Sequence, residues 1–413
     1  MHRFLLLACS LLMIGCMPST PPAVSPTIPT VAKAEPEKIK PKPTDNPNRE
    51  PILTKAPVPR AKPTAPTDWP VFRGNPQSTG VSTVKLPDEL AERWVFKCGD
   101  SVEGAPAVVD GVVYVASTDK HLYAIDLKTG KEKWKRKLGI MKASPAVKDD
   151  RVYIGDVSGN VFCVDANNGD QIWLYAPETG GEIVSGCNFH GDNILVAAQG
   201  MPVTCLNTKG EKVWAFEIDG GSNGCPTVSG DTVFASGCDS RFHAIDAKSG
   251  KELWAVDISG QAAATCAVAD DVAYVGTVTN QVVAIDLKEK KKLWEFEPKV
   301  KAQAFYSSAT LTDELVILGS RDQKVYALDR KTGEPKWTFV TEGIVDPSPV
   351  LAGGRVYVGC LSQTAEFYAL DAKTGKKKQE LILEGAACGS PAVGPDCLVV
   401  GTEKGRVYCL GKK

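Results

Sequence analysis

Histidine and cysteine carry most of this chain's capacity for metal binding, proton transfer and nucleophilic attack. The four histidines, His2, His121, His190 and His243, lie far apart in the sequence. His121 and His243 occupy the same position of a repeated unit, which points to a structural role. Beyond Cys9 and Cys16 come eleven cysteines, from Cys98 to Cys409. None forms the C-x-x-C spacing of a zinc site. Their number is odd, so at least one is free or pairs between chains. Cys163, Cys205 and Cys409 share one slot with alanines elsewhere and read as small core residues. Cys187, Cys225 and Cys266 fall on consecutive inner strands, where one disulfide bridge is geometrically conceivable. No G-x-S-x-G elbow and no glycine-rich loop leading into a helix occurs. The stretch GDNILVAAQG (191–200) reads as a hairpin. The recurring acids belong to turns. The chemistry therefore implies no catalytic residue, no cofactor and no metal.

What positions these residues is a repeat. Tryptophans recur at 94, 134, 173, 214, 254, 294 and 337, spaced 40, 39, 41, 40, 40 and 43 residues. An eighth slot holds Gln379 instead. Before each slot but the first comes a short strand ending in an acid or amide and a turn, as in YAIDLKTGKEKW (123–134) and YALDRKTGEPKW (326–337). The Asp or Asn accepts backbone N–H groups two residues on. The glycine that follows supplies the positive φ of the reversal. Lys290 stands in that glycine slot in one unit, so that turn is expected to be altered or strained. Upstream lie a β-branched strand, such as VVYVAS (112–117), and a small-residue strand, such as SPAVK (144–148).

Four short strands per roughly forty residues, with no helical period, is the signature of a propeller blade. Eight inner strands begin near Ala105, Ser144, Gly186, Cys225, Thr265, Ser308, Ser348 and Ser390. The strand Ala91–Lys97 precedes the first of them, and the last unit lacks an outer strand. The prediction is an all-β, eight-bladed β-propeller of four-stranded blades, its last blade closed by the N-terminal strand. Closure removes two free sheet edges. The small inner column is expected to reflect crowding at the axis.

The N-terminus differs in kind. Residues 4–14, FLLLACSLLMI, suit the apolar core of an export signal and are too short to span a membrane. They lead into Gly15-Cys16, which resembles the bacterial lipobox with Met13 in place of the usual Leu. The resemblance implies cleavage after residue 15 and acylation of Cys16; ordinary secretion is the alternative. Residues 16–67 form a proline-rich stalk able to extend on the order of 150 Å. A leader, 68–90, joins it to the propeller at 91–413, with Trp69, Phe72 and Arg73 expected to pin it to the ring. The charges balance, 48 Lys+Arg against 49 Asp+Glu, so no nucleic-acid footprint is implied.

The pattern Y-A-[IL]-D-x-x-[TS]-G-[KE]-x-x-W resembles the tryptophan-docking repeat of the PQQ-like propeller superfamily. In that family Trp94, Trp134, Trp173, Trp214, Trp254, Trp294 and Trp337 would each lock onto a neighbouring blade. Size and signal are similar to the branch of the outer-membrane assembly lipoprotein BamB. The quinoprotein dehydrogenase branch would require a large pocket, a Ca²⁺ site of oxygen ligands and an Asp base. The segments DGGSNG (219–224) and SGQAAA (259–264) lack the charged residues with which BamB meets its barrel partner.

These features imply a monomeric, non-catalytic scaffold with an envelope protein partner and a membrane contact through its lipid. Its expected place is the periplasmic side of the outer membrane. Phe305 and Tyr306, on a connector among basic residues, are the candidate partner contacts; plugging the channel mouth is the other role open to them. The alternatives are a quinone- or small-molecule-binding propeller with dehydrogenase activity, and a polysaccharide-binding module.

Overall fold

The computed structural model describes residues 66–412 except 179 and 300–302. Residues 1–15, Cys16 and the stalk up to residue 65 lie outside the described residues. Eight sheets follow one another along the chain. Blade 1 consists of Ala107–Val109, Val112–Ala116, His121–Asp126 and Glu132–Lys137, ordered from axis to rim. The later blades repeat this order. In blade 8 the outer strand is Ala91–Lys97, antiparallel to Arg406–Gly411. The N-terminal strand thus closes the ring, as the strand count requires.

Alternation explains each blade's position. The inner three strands are buried on both faces, and their sequences are correspondingly apolar, as in VVYVA and VVAID. The outer strands are half-exposed and carry lysine and glutamate, as in EKWKRK. Inner-to-second and third-to-outer turns gather on one face of the ring, here the turn face. Second-to-third turns and the inter-blade connectors gather on the other, the connector face.

The tryptophans form inter-blade latches. Trp94 Nε1 donates to Leu127 O at 2.8 Å, and Trp134 Nε1 to Ala166 O at 2.9 Å. Trp173, Trp214, Trp294 and Trp337 repeat this bond onto the following blade. Each indole lies on the turn glycine of that blade. A Cβ on Gly130 would stand 2.6 Å from Trp94 Cγ, and Gly130 has φ +68°. Glycine is thus required there twice over, by conformation and by contact.

Trp254 departs from the pattern. The turn it should meet carries Lys290, at φ +57°. Among the described residues Trp254 makes no latch bond, although it packs on Phe234 as Trp134 and Trp173 pack on Tyr114 and Tyr153. Gln379 is a replacement suited to its place. Blade 8 has no third-to-outer turn, because its outer strand comes from the N-terminus. Gln379 instead donates to Leu90 O at 2.7 Å and accepts from Leu90 N at 2.9 Å.

The inner column is small, and it is also a hydrogen-bonded hoop. Ala105 N donates to Ser144 Oγ at 2.9 Å. Cys225, Thr265, Ser308 and Ser348 N–H groups donate to the hydroxyls of Thr265, Ser308, Ser348 and Ser390. Gly186 N–H is directed at the Cys225 thiol. Crowding alone does not account for this column. At five of the eight slots a hydroxyl satisfies a buried amide of the preceding blade.

The leader encircles the axis at the turn-face end. Trp69 exchanges backbone bonds with Val108 of blade 1, at 2.7 and 3.0 Å. Pro70 O, Pro76 O, Gln77 O, Thr79 O and Gly80 O then accept from Val147, Val228, Val268, Leu311 and Leu351, all backbone N–H groups. Asn188 Nδ2 supplies the blade 3 contact, to Pro76 O at 2.9 Å. Seven blades in turn therefore bond to one segment. It ends as Val81–Ser82, paired in parallel with the inner strand Val350–Ala352, so blade 7 has five strands.

Candidate functional site

The connectors build the free end of the channel, and each does so with two adjacent residues. The first is an apolar wedge between blades. Val102, Met141, Ile183, Phe305, Val345 and Ala387 are all fully buried. Each wedge needs room in the second strand, and for five of the six the glycine ending that strand provides it; Met141 meets the strand that ends in Ala116. A Cβ on Gly276 would lie 2.7 Å from Phe305 Cβ. Phe305 also meets Tyr326 edge-on, with ring centroids 5.8 Å apart.

Phe305 is therefore corrected from a candidate partner contact to a core wedge. A side chain with 0% exposure offers a partner nothing. Aligning the connectors would have revealed this, since every unit places an apolar or small residue at that step.

The second residue of each connector is half-buried and borders the channel mouth. Glu103, Lys142, Asn223, Tyr306, Asp346 and Cys388 hold this position in six blades. Asp346 and Lys142 are paired with charges on nearby loops. Arg321 grips Asp346 with two bonds, Nε to Oδ1 at 2.9 Å and Nη2 to Oδ2 at 2.7 Å. The same guanidinium lies 4.1 Å from the Tyr306 ring centroid. Lys142 Nζ stands 3.0 Å from Glu182 Oε1. Burial raises the pKa of Glu103, against the opposing pull of Lys142. Burial pushes the Cys388 thiol up to about 12, so it is no thiolate nucleophile at neutral pH.

At the closed end, Arg73 is 1% exposed, and its Nη2 donates to Ala309 O at 2.9 Å. Burial lowers its pKa to about 9. Trp69 is buried beside it in the leader, while Phe72 is half-buried against Gly186. A cleft of about 240 Å³ opens on the turn face between blades 1 and 2, lined by Asp68, Asp110, Lys133 and Lys148 among others. Ordinary ligand pockets run from about 300 to 1,000 Å³ and are mainly apolar. Among the described residues ten cysteines are free thiols, nine of them buried, including Cys187, Cys225 and Cys266.

A quinone-and-cation site does not fit these residues. Such a cation needs several oxygen ligands converging on one point. Among the described residues no group of three or more His, Cys, Asp or Glu side chains could hold a metal. Asp346, the mouth aspartate, already gives both oxygens to Arg321.

The class is thus an eight-bladed propeller with tryptophan-latched blades and a polar channel mouth. The chain belongs to the family described as outer membrane protein assembly factor BamB, whose profile matches residues 88–199, 177–266, 199–342 and 321–413. Among solved structures it is similar to BamB from Moraxella catarrhalis, with TM-score 0.66 and 21% identity, covering 78% of this chain and 98% of that one. It is also similar to a europium-containing methanol dehydrogenase, with TM-score 0.70 and 14% identity, covering 84% of this chain and 98% of that one. A third is a quinohemoprotein alcohol dehydrogenase from Comamonas testosteroni, with TM-score 0.71 and 15% identity, covering 84% and 81%. These likenesses are of fold. A quinoprotein glucose dehydrogenase of Escherichia coli (strain K12) is 30% identical over 93 residues, 19% of this chain and 12% of that protein.

Proposed function

We propose that this protein is a non-catalytic envelope scaffold that presents its connector face to a protein partner. The observation that carries the reading is the state of the channel mouth. Two of its charged groups are spent on neighbouring loops, Asp346 on Arg321 and Lys142 on Glu182, rather than aimed at a ligand. A rim with such paired charges around small residues suits a docking surface better than a reaction site. Tyr306, half-buried under Arg321, is the aromatic anchor of that surface. Family membership supports an envelope role.

The leader sets the point of attachment. Asp68 lines the turn-face cleft, so the N-terminal segment joins the ring on that face. A lipid on Cys16 then tethers the ring from its turn face, with the stalk setting the reach.

Three measurements test this on the full-length chain. Cys16→Ser should move the protein from the membrane to the soluble envelope fraction. A photo-crosslinking residue in place of Tyr306 should capture one stoichiometric envelope partner. The same residue at Leu253, on the outer rim, should not capture it. Titration with PQQ and Ca²⁺ should give no saturable absorbance change. Saturable binding with dye reduction by an alcohol or sugar would replace the scaffold reading with the dehydrogenase one.

A further inference from the structure

The outer strands of a propeller are all edges, with one row of backbone N–H and C=O groups left for solvent. Natural edges of this kind are guarded by charge. Seven of the eight outer strands follow that rule. Examples are AERWVFK, EKWKRK, KKLWEF and KKQELI, and the least charged of the seven, KVWAF and PKWTFV, still carry a lysine. The outer strand of blade 2 breaks it. Gln171–Tyr175 reads QIWLY and contains no charged residue. Leu174 is 47% exposed, with Ile172 and Tyr175 partly exposed beside it. Its inner side pairs with Val161–Asp165, and its outer side pairs with no strand among the described residues.

We propose that this edge receives an extended segment of a partner protein as a fifth, antiparallel strand, one with alternating apolar residues and acidic flanks. The backbone supplies the affinity and Leu174 the apolar contact. The acidic preference comes from blade 1. Its outer strand sets Lys133, Lys135, Arg136 and Lys137 against Glu132 alone. Arg136 Nη1 reaches to 3.8 Å from Asp170 Oδ1, so this basic rim abuts the start of the uncharged edge. A second copy of the ring is the poorer occupant. Five residues extend roughly 17 Å. Two convex rims meeting along that length bury far less than the about 1,200–2,000 Å² of a stable interface. A flexible segment escapes that limit.

The probe is a fluorescein-labelled peptide of alternating valine and threonine with glutamates at both ends, followed by anisotropy against the full-length protein. Saturable binding is expected, weakened roughly tenfold or more by Leu174→Lys. Leu253→Lys, at an exposed outer-strand position of blade 4, should leave it unchanged. A version with lysine flanks should bind more weakly, and one N-methylated at alternate residues should not bind. Absent binding overturns the proposal, as do equal losses in both variants or retained binding by the methylated peptide. A concentration-dependent dimer abolished by Leu174→Lys would give the edge to a second copy and overturn it as well.

Discussion

His243 shows how one residue's charge is used inside a blade. It is 3% exposed, with Nε2 2.7 Å from Asp239 Oδ2 and Nδ1 2.8 Å from Glu252 Oε1. Burial pulls its pKa down, but the two carboxylates outweigh burial, and the net shift is upward. A base bound more tightly to its proton when folded stabilises the fold fully below its unfolded pKa. That contribution is lost as pH rises through the folded pKa, which here lies above 6.5. His243→Gln should therefore cost about 1–3 kcal/mol near pH 6 and less near pH 9. Denaturant midpoints at the two pH values check this; an equal loss at both would mean His243 is held neutral. Arg73 has the opposite sign. Its folded pKa, about 9, lies below the ordinary 12.5. Its charge weakens the fold at every pH below about 9, and the penalty fades as pH climbs above that. Arg73→Met removes a buried charge that has no carboxylate partner among the described residues and frees the Ala309 carbonyl. It should stabilise by on the order of 1–4 kcal/mol near neutral pH. The gain should shrink near pH 10.5, and a melting series over that range measures it.

The element on which this fold repeats is the latch of tryptophan, turn and glycine. It was the most legible feature of the sequence, because both partners recur at fixed spacing. Position also explains its exceptions. Lys290 predicted an altered turn, and the structure shows the cost as a positive φ and a missing Trp254 latch. Lys290→Gly should gain about 1 kcal/mol by relieving that backbone. Gly130→Ala should lose more, since its Cβ would strike Trp94. Gln379→Trp should also destabilise, because blade 8 has no turn for an indole to meet and Leu90 would lose both its bonds. Chemical denaturation of the three variants ranks them; a stabilising Gln379→Trp would refute the positional explanation. Other elements were less legible. The hoop of hydroxyls looked like mere smallness, because its bonds run between blades and leave no local pattern. Phe305 looked like a loop aromatic because a connector has no period of its own. Only its equivalence to Val102, Met141 and Ile183 discloses the wedge.

At the scale of the whole ring, the leader does what no repeat can. Each blade contacts its two neighbours, so repeat arrays without further ties tend to lose cooperativity along their length. The segment 69–82 bonds to seven blades in turn, and the chain that follows it supplies the outer strand of the eighth, Ala91–Lys97. It has no internal repeat, so sequence periodicity could not place it. Its Trp69, Phe72 and Arg73 suggested only that it is pinned somewhere. Because one chain runs past seven of the eight inner strands, freeing its start should loosen those seven together. Trp69 is 2% exposed, and Trp69→Ala removes the largest apolar anchor of the segment. It should cost about 3–5 kcal/mol. The distribution of that loss distinguishes a belt from a local clamp. In a belt, hydrogen exchange quickens alike at Val108, Val147, Val228, Val268, Leu311 and Leu351, the amides that bond to the leader. In a clamp, only Val108 and Val147 of blades 1 and 2 respond. Faster exchange confined to those two amides would refute the belt. Faster exchange reaching Leu351, on the blade where the leader leaves the axis, would mean that the ring is held from its centre as well as by its rim of tryptophans.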